Sequence, residues 1–382
     1  MKVTSLKLKN FRCFDSQTFT FGIENDIIFI TGPNGSGKSS ILEALHYSSY
    51  LRSFRTHLPV ELALFDAEYF SIGTSISHVS SFIDNHTDTD NLQIVFTLNN
   101  LKRIVKLNQK PISSFKDIYN IFKVVTVTAD DLKLIQDGPL LRRNFIDQTI
   151  MFNDSSYISL ISKYKRVLEN RNALLFSKFD KESYNLWSEK LFDLSKTIQK
   201  LRIQALENIG KQAKIIFDTI NLSDNSREVS CNLDIKYQYA QPYSLIAHAQ
   251  NFQEFIELYP SILQDELNRK KTLFGTHLDD FKIIFQDKYS RTFSSRGQQK
   301  MILMLLKLAQ ISLSNKNKDN AKNTILLIDD FFSDFDSEKF NAILSFIPTI
   351  ASQTFVTSPG RSFIDNTLNN KNLSCQYIEL DL

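Results

Sequence analysis

The stretch GPNGSGKSSILEAL, residues 32–45, decides the fold of this chain. Four positions match the pattern GxxxxGK[ST] at the required spacing: Gly32, Gly37, Lys38 and Ser39. The apolar run at residues 27–30 predicts a strand buried on both faces, and we expect a helix from about Ser39 to Leu51. A buried strand, a glycine-rich loop and a helix in this order predict a phosphate-binding P-loop. The alternative is a chance match in a loop of glycine and serine, and the flanking elements argue against it.

The residue types of this loop predict how it binds a nucleoside triphosphate. Glycines let the backbone wrap closely around phosphate oxygens, and the helix N-terminus supplies N–H donors and partial positive charge. Lys38 is expected to reach the β- and γ-phosphates, and the Ser39 hydroxyl to ligate Mg²⁺. The predicted ligands are therefore ATP and Mg²⁺. The predicted nucleotide-binding residues are Gly32, Pro33, Asn34, Gly35, Ser36, Gly37, Lys38, Ser39 and Ser40.

A pair of acids closes a second apolar run, at residues 324–328. Asp329 and Asp330 stand at the end of this predicted strand. In P-loop enzymes an acid at this point helps to hold Mg²⁺, and a neighbouring carboxylate can polarise the attacking water. Without a P-loop in the same chain, a polar turn after a core strand would be the simpler interpretation. Together the two motifs predict a nucleotide-hydrolysing site.

A second phosphate-binding design lies late in the chain, in RTFSSRGQQKMILMLLKLAQ, residues 291–310. Small residues lead into an apolar helix there, as at a helix N-terminus that binds an anion. The small and polar residues of this loop are Ser294, Ser295, Gly297, Gln298 and Gln299. They cannot bind phosphates already held by the P-loop without crowding. We therefore predict that they bind the γ-phosphate held by a second copy of the chain, in a head-to-tail pair.

The chain changes character twice along its length. Up to about residue 125 it is rich in predicted strands, with a hairpin at residues 92–107 that turns near Asn99 and Asn100. Helical spacing prevails from about 138 to 267, in helices too short for a long coiled coil. Predicted strands return after about residue 269. We predict an ATPase head from residues 1–137 and 268–382 and an inserted helical arm from residues 138–267.

Composition excludes several classes of protein. The 382 residues carry 45 basic and 42 acidic side chains, so there is no strong single-sign field of the kind that marks a histone-like DNA binder. Three distant cysteines, Cys13, Cys231 and Cys375, form no CxxC pair and favour a reducing compartment over a disulfide framework or zinc site. No stretch of about 18 apolar residues predicts a membrane span. We expect a cytoplasmic protein.

Several motifs together resemble the RecF family of recombination mediators, which are ABC-type ATPases. In family order they are NFRCF, GPNGSGKSSILEAL, SFRT, DDLKLIQDGPLLRRNFID, YKRVLENRNALL, SSRGQQK and LLIDDFFSDFD. The resemblance extends from residue 1 to about 358. It implies an α/β fold: an ABC-type P-loop ATPase head, with a mixed sheet and a β-rich lobe, and an inserted, mainly helical arm.

The resemblance also implies roles for individual residues. Lys38, Asp329 and Asp330 would be catalytic, with Asp329 on the Mg²⁺ side and Asp330 polarising water. Ser295, Gly297 and Gln298 would form the signature that acts in trans. Asp336 would belong to the D-loop, Arg12 would touch the nucleotide phosphates, and Asp130 and Asp131 would lie near the Q-loop.

This chain departs from the family pattern at several positions. GTHLDD replaces the usual GPHRDD around His277, Arg296 replaces a signature Gln, and Phe335 replaces a D-loop Leu. Thr357 and Ser358 stand where transporter ATPases carry a switch histidine. We interpret His277 as structural, with a direct nucleotide role as the open alternative.

Basic clusters are candidate DNA contacts. They are LKRIVK with Lys102 and Arg103, LRRN with Arg142 and Arg143, KYKR at residues 163–166 and NRKK at residues 268–271. For each cluster a solvated basic face is the simpler alternative. The resemblance favours Arg52 and Arg55 in RSFRT as DNA contacts.

The function implied by the resemblance is an ATP-gated DNA clamp with slow, DNA-stimulated ATPase activity. ATP and Mg²⁺ would close a homodimer on gapped duplex DNA or on double-strand/single-strand junctions. RecR and RecO would be its partners, and it would help RecA to load during recombinational repair, DNA replication and the SOS response. Two alternatives remain open: a chromosome-organising or nuclease-partner ATPase of the SMC/Rad50 type, and the ATP-binding subunit of a transporter. A missing long coiled coil and CxxC hook count against the first, and the acid pair, the NFR start and the absent switch histidine against the second.

Overall fold

The computed structural model of the chain describes residues 1–79, 87–112, 115–176, 180–221, 232–244, 249–316, 322–332, 335–361, 364 and 373–381. The chain divides into two compact units. The first unit consists of Met1–Asp131, Ile216–Glu228 and Ile311–Leu382, and the second of Leu132–Ile215 and Val229–Gln310. Within the described ranges, no helix is both long enough and apolar enough to cross a membrane.

The described residues contain the buried strand, the loop and the helix that the sequence predicts for the P-loop region, among the following elements. The strands are β1 (Lys2–Phe11), β2 (Phe14–Thr20), β3 (Ile27–Thr31), β4 (Tyr69–Val79), β5 (Thr87–Thr97), β6 (Lys102–Leu107), β7 (Lys110–Pro111), β8 (Lys123–Thr128), β9 (Leu233–Gln238), β10 (Asp280–Phe285), β11 (Lys288–Tyr289), β12 (Thr324–Asp329), β13 (Gln353–Ser358) and β14 (Cys375–Glu379). The helices are α1 (Lys38–Tyr50), α2 (Phe115–Ile121), α3 (Lys133–Gln136), α4 (Pro139–Asn153), α5 (Ser156–Phe176), α6 (Lys181–Asn221), α7 (Phe252–Leu258), α8 (Ile262–Arg269), α9 (Ser290–Phe293), α10 (Arg296–Lys316) and α11 (Ser337–Ile350). Short 3₁₀ turns occupy Pro59–Leu62 and Ala129–Leu132.

The first unit contains a five-stranded parallel sheet in the order β14-β3-β13-β12-β8. Every residue of β3, β8 and β13 is buried, which agrees with their mainly apolar and threonine-rich sequences after the first residues Lys123 of β8 and Gln353 of β13. Strand β3 ends at the P-loop, and β12 ends at Asp329 two strands away. The carboxyl ends of parallel strands meet at one sheet edge, so the fold brings together two motifs from opposite ends of the chain.

The second sheet of this unit has six strands in the order β2-β1-β4-β5-β6-β7, all antiparallel. Its hairpin β5–β6 pairs Thr97 with Lys102, so the turn includes the predicted Asn99 and Asn100. Alternating burial along β1 follows its alternating sequence: Leu6 and Leu8 are buried, while Lys7 and Lys9 are exposed.

Helix α1 contacts strands of both sheets, and every residue from Ser40 to Tyr50 is buried. A helix buried on all sides must satisfy its polar side chains internally. His46 pairs with Thr126 at 2.8 Å, and Ser49 and Tyr50 donate to the carbonyls of Phe122 and Val124. The P-loop therefore rests on a helix that the core holds firmly.

The second unit is mainly helical and includes a three-stranded antiparallel sheet, β11-β10-β9. Helix α6 is one continuous element of 41 residues, longer than the helices expected from sequence, since no proline interrupts it. Residues 268–310 also belong to this unit, because β10 pairs with β9 and Asp280 pairs with Arg142 of α4. This grouping differs from the predicted limits 1–137, 138–267 and 268–382, which remain a prediction for the functional domains.

Candidate functional site

The P-loop turns sharply between β3 and α1. At two of its positions glycine is needed because φ is positive and because a Cβ atom would clash with neighbouring atoms. Gly37 has φ +98°, and a Cβ atom there would lie 2.6 Å from the ring of Phe14 and 2.7 Å from Sγ of Cys13. Gly32 has φ +150°, and its Cβ would lie 2.4 Å from the carbonyl oxygen of Leu380. The NFRCF segment and the C-terminal strand thus close on the loop from two sides.

Lys38, the first residue of α1, folds back into the loop. Its Nζ donates to the carbonyl oxygens of Gly32 at 2.6 Å and Pro33 at 2.8 Å. These bonds hold the ammonium group where the loop backbone curves, which is the position from which a P-loop lysine reaches phosphate oxygens. The N-cap Gly37 has no side chain, so the N-terminus of α1 is open to an anion.

Four residues from the two ends of the chain meet beside the P-loop. The Ser39 hydroxyl donates to Oδ1 of Asp329 at 2.8 Å, and the Thr357 hydroxyl donates to the same oxygen at 2.9 Å. The Thr357 hydroxyl accepts from the backbone N–H of Asp330 at 2.8 Å. Burial raises the pKa of Asp329 above its ordinary value, while the hydrogen bonds from Ser39 and Thr357 act in the opposite direction.

A cavity of about 300 Å³ lies at this junction. Its lining includes the predicted nucleotide residues Asn34, Gly35, Gly37, Lys38, Ser39 and Ser40 and the predicted water-polarising Asp330. Cys13, Arg55, Thr357 and Pro359 complete the lining. Gly32, Pro33 and Ser36 form the rest of the loop without lining the cavity. The structure therefore gathers most of the predicted nucleotide residues around one space.

The residues present fit a magnesium ion that is shared with a nucleotide. Ser39 and Asp329 offer a hydroxyl and a carboxylate, the hard oxygen donors that Mg²⁺ prefers. Throughout the ranges that the structure describes, no cluster of three or more His, Cys, Asp or Glu could hold a metal by itself. Mg²⁺ in such sites keeps several waters and takes further oxygens from the substrate phosphates.

Arg12 lies in the NFRCF segment and makes a two-pronged ion pair with buried Glu43 of α1. Its Nε and Nη2 each lie 2.7 Å from a Glu43 oxygen, and Nη1 donates to the carbonyl of Glu61 at 2.8 Å. The Ser53 hydroxyl also donates to Glu43, and it accepts from the backbone N–H of Arg55 at 2.8 Å. Glu43 thus fixes the loop that carries Arg55 to the cavity. A contact between Arg12 and phosphate remains a prediction.

The signature segment lies in the second unit and forms a reciprocal capping box at the start of α10. The backbone N–H of Ser295 donates to Oε1 of Gln298 at 2.8 Å, and the N–H of Gln298 lies 3.3 Å from the Ser295 hydroxyl. Ser295, Gly297 and Gln298 are exposed, and a Cβ at Gly297 would meet nothing within 4 Å. The segment therefore presents an exposed, well-formed helix N-terminus.

The D-loop and Q-loop candidates have local structural roles. Asp336 is the N-cap of α11 and accepts from the Lys339 backbone N–H at 2.8 Å. Asp131 accepts from the backbone N–H of Thr128 at 2.9 Å, and Asp130 belongs to the same 3₁₀ turn. The predicted coupling role of Asp336 and the Q-loop register remain predictions.

The DNA candidates differ in how freely their side chains can reach a ligand. Arg52 and Lys102 are exposed, and the Arg52 guanidinium lies 5.7 Å from the ring centre of Tyr50. Arg103 donates to the carbonyl of Leu51 at 2.6 Å, next to the C-terminus of α1, where a cation is favourable. Arg142 is only 3% exposed and pairs with Asp280, so it is not a surface contact as its cluster suggested.

His277 lies inside the second unit, consistent with a structural role. Its Nδ1 lies 2.7 Å from the hydroxyl of Tyr164, and burial lowers its pKa to about 4. Gly275 beside it has φ +114°, and a Cβ there would lie 2.7 Å from the same hydroxyl.

Three contacts in these sites were not predicted from sequence. Thr357 bonds to both acids, Glu43 ties Arg12 to the Arg55 loop, and Gln136 donates to the buried Gln299 at 2.7 Å. The position of Thr357 at the end of an apolar strand was a usable signal. This signal could be used only with the knowledge that β13 lies next to β12, and a single sequence does not reveal the strand order.

Comparison with known proteins gives consistent likenesses. The family model described as RecF/RecN/SMC N terminal domain matches residues 2–377. The DNA replication and repair protein RecF of Acetivibrio thermocellus is 29% identical over 378 residues, covering 98% of this chain and 97% of that protein. The protein of the same name from Chlorobium phaeobacteroides is 28% identical and covers 94% of this chain and 96% of its own length.

Solved structures agree with this result. The recombination mediator protein RecF-ATPrS in the RecFOR pathway has a TM-score of 0.78 and 25% identity, covering 100% of this chain and 97% of that one. An Smc head domain from Pyrococcus furiosus has a TM-score of 0.53 at 16% identity, covers 96% of this chain and 92% of that one, and shares the fold alone. The predicted ABC-type ATPase head with helical regions is confirmed.

Proposed function

Because the chain belongs to the RecF family, an ABC-type ATPase family within the RecF/RecN/SMC group, we propose that it is an ATP-gated DNA clamp of DNA replication and repair. ATP would close two copies on DNA, and hydrolysis would release them. Residues 1–137 and 268–382 would form the ATPase head, and residues 138–267 the arm. The observation that carries the proposal is the hydrogen bond between Ser39 and Asp329, which joins the P-loop to the acid strand.

The chemistry follows from the residues around the cavity. Lys38 would exchange its carbonyl partners for β- and γ-phosphate oxygens. Ser39 and Asp329 would hold Mg²⁺, which supplies Lewis-acid stabilisation of the phosphate charge when bound. Asp330 lines the cavity and would polarise the water that attacks the γ-phosphate. Among the described residues that line the cavity there is no histidine, so the proposed mechanism uses no switch histidine.

ATP-dependent closure is proposed to depend on the signature of the second copy. Ser295, Gly297 and Gln298 are exposed at the N-terminus of α10, whose N–H groups favour an anion. Aimed at the γ-phosphate of the partner's ATP, they would hold ATP and release ADP, which has no γ-phosphate. Such differential affinity is what makes a closed dimer conditional on ATP. Turnover would be slow, since each cycle requires assembly of two copies.

DNA and protein partners are proposed from the family. A relative is named as a DNA replication and repair protein, and a structural neighbour as a recombination mediator in the RecFOR pathway. The proposed substrate is gapped duplex or junction DNA, and the proposed partners are RecR- and RecO-type proteins, with RecA loading as the outcome. Arg52, Arg55, Lys102 and Arg103 are proposed DNA contacts, and DNA would stimulate hydrolysis.

Molecular mass measured by light scattering tests the proposal. An Asp330→Asn variant, slowed in hydrolysis, is measured with ATP and Mg²⁺, with ADP, and with ATP plus gapped duplex DNA. We expect a dimer with ATP only, strengthened by DNA and lost on adding Ser295→Arg. Thr197→Arg adds the same charge at an exposed site of the second unit and serves as the control. A mass indifferent to nucleotide in every sample would contradict the clamp.

DNA-stimulated ATP hydrolysis separates the proposal from a transporter subunit. A transport ATPase has no reason to respond to DNA, whereas a clamp that closes on DNA should hydrolyse ATP faster in its presence. Hydrolysis that gapped duplex DNA leaves unchanged would argue against the proposed substrate.

A further inference from the structure

Thr357 joins the two acids of the candidate site through one oxygen atom. Its hydroxyl accepts from the backbone N–H of Asp330 at 2.8 Å and donates to Oδ1 of Asp329 at 2.9 Å. A hydroxyl has one proton to give, and here the direction is settled because an N–H can only donate and an ionised carboxylate can only accept. Thr357 is 4% exposed, so water competes weakly for these bonds.

The bond to Asp330 holds a backbone conformation that a side chain disfavours. Asp330 has φ +46°, in the left-handed region, which residues with a Cβ atom seldom adopt. Asp330 also lines the cavity. The direction in which its carboxylate leaves the backbone therefore depends on a main-chain geometry that Thr357 stabilises.

The bond from Thr357 is one of two that the same carboxylate oxygen of Asp329 accepts. Oδ1 of Asp329 accepts from Ser39 and from Thr357. A Ser39 oxygen that ligated Mg²⁺ would give a lone pair to the ion, so its position would depend on the metal as well as on this carboxylate. Thr357 lies on β13 and would not be a ligand of the ion, so its bond can keep the carboxylate oriented whatever position Ser39 takes.

We propose that Thr357 is a positioning residue that orients both acids, Asp329 toward Mg²⁺ and Asp330 toward the attacking water. The proposal rests on the proposed ATPase function. In it, Thr357 affects hydrolysis by holding Asp329 and Asp330 in position. Hydrogen-bonding partners of metal ligands commonly contribute 10–100-fold to metal affinity or activity, roughly the size of effect expected here.

The same strand supplies a matched control. Thr354 of β13 is 1% exposed, and its hydroxyl has no hydrogen-bond partner among the described residues. Thr354→Val and Thr357→Val thus remove the same atom from buried threonines three residues apart. One hydroxyl bonds to the acids, and the other has no hydrogen-bond partner in the part of the chain that the structure describes.

The test is a titration of Mg²⁺ against binding of a fluorescent ATP analogue, with binding in EDTA as the baseline and ATP hydrolysis measured in parallel. For Thr357→Val we expect unchanged affinity in EDTA, roughly a tenfold higher Mg²⁺ concentration at half-maximal binding, and a lower kcat. Thr357→Ser keeps the hydroxyl and should stay within about twofold of the unchanged protein, a margin well inside that tenfold effect. Thr354→Val should match the unchanged protein in all three measurements.

The outcomes separate this inference from the function on which it rests. If Thr357→Val needed the same Mg²⁺ concentration for half-maximal binding as the unchanged protein, the inference would be overturned. The ATPase proposal would not be affected by this result. An unchanged protein that binds ATP without any dependence on Mg²⁺ would overturn the proposed function itself. Thermal unfolding checks the fold of each variant. Should Thr357→Val fail to fold, Thr357→Cys, with its weaker hydrogen bonds, takes its place with a shift in the same direction.

Discussion

Ser39 and Asp329 share a hydrogen bond of 2.8 Å, from the serine hydroxyl to Oδ1, although 290 residues separate them in sequence. One stands at the start of the P-loop helix and the other at the end of β12. The pair of oxygens that would hold Mg²⁺ is therefore in place before a nucleotide arrives. Preorganisation of this kind lowers the cost of assembling a metal site.

Ser39→Ala should remove the Mg²⁺-dependent part of ATP binding. The variant loses an oxygen ligand and leaves Asp329 with the bond from Thr357. We expect affinity in EDTA to change little, and affinity with Mg²⁺ to fall at least about tenfold, as when a group that supports a metal is lost. Isothermal titration with ATP in both buffers measures the difference.

Ser48→Ala is the matched control for this prediction. Ser48 lies on the same helix, and its hydroxyl donates to the carbonyl of Ala44 at 2.9 Å, away from the cavity lining. Equal losses of Mg²⁺-dependent affinity in the two variants would show that the effect comes from the helix and not from a metal ligand.

Gly37→Ala should cost more stability than Gly35→Ala, although both glycines have positive φ values of +98° and +91°. Backbone strain of roughly 1–2 kcal/mol applies to both variants. Only at Gly37 would the new Cβ meet the Phe14 ring and Cys13, at 2.6 Å and 2.7 Å, which adds overpacking of about 1–3 kcal/mol.

The free energy of unfolding in urea and the ATP affinity measure this contrast. We expect Gly37→Ala to lose both, and Gly35→Ala to lose stability in proportion to the strain alone. Equal destabilisation of the two variants would mean that the NFRCF segment yields freely and does not close on the P-loop.

Arg55→Ala should weaken ATP binding in the absence of DNA. Arg55 lines the cavity beside Lys38 and Ser39, and its charge lowers the pKa of Asp329 against the larger effect of burial. Loss of one exposed cationic contact to phosphate corresponds to about 1 kcal/mol, or roughly fivefold in affinity. Arg52→Ala is the control, because Arg52 is exposed near Tyr50 and does not line the cavity. Equal ATP affinity in the two variants would leave Arg55 as a candidate DNA contact only.

Much of the first unit follows from sequence because its signals are local. A glycine-rich loop between a buried strand and a helix has one common structural interpretation, and β3 and α1 lie within a residue or two of the predicted bounds. The start of α10 in the second unit was likewise predicted from neighbouring residues, the small residues that lead into an apolar helix. The acid pair was predicted from the apolar strand before it together with the P-loop, and the family motifs assigned the separate roles of Asp329 and Asp330.

The remainder depended on long-range pairing that one sequence does not reveal. The strand order that places Thr357 beside Asp329 and Asp330 is a property of the sheet. The ion pair of Arg12 with Glu43 joins the turn after β1 to helix α1, which is also a contact between distant parts of the chain. Arg142 looked like part of a surface cluster and is buried, because Asp280 from β10 neutralises it. Spacing alone cannot distinguish a solvated arginine from a buried one with a distant partner.

His277 should make the stability of the protein fall as the solution becomes acidic. Burial lowers its pKa to about 4 from an ordinary 6.5, with nearby arginines adding to the effect and a backbone hydrogen bond at Thr272 opposing it. Between these two values the unfolded chain binds a proton that the folded chain does not. Stability therefore rises with pH through this window and is fully present above about pH 6.5, a difference of up to about 3 kcal/mol.

Comparison with His277→Asn isolates this contribution from other acids. Burial raises the pKa of Asp279 nearby, which favours folding at low pH and opposes the effect of His277. This contribution of Asp279 is present in both proteins, so it cancels in the comparison. Asn offers an oxygen close to the position of Nδ1, so the contact with Tyr164 can be kept. Urea unfolding from pH 4.5 to 7.5 should show the stability curves of the unchanged protein and of His277→Asn converging as pH falls. Parallel curves for the unchanged protein and His277→Asn would mean that the fold does not hold His277 neutral.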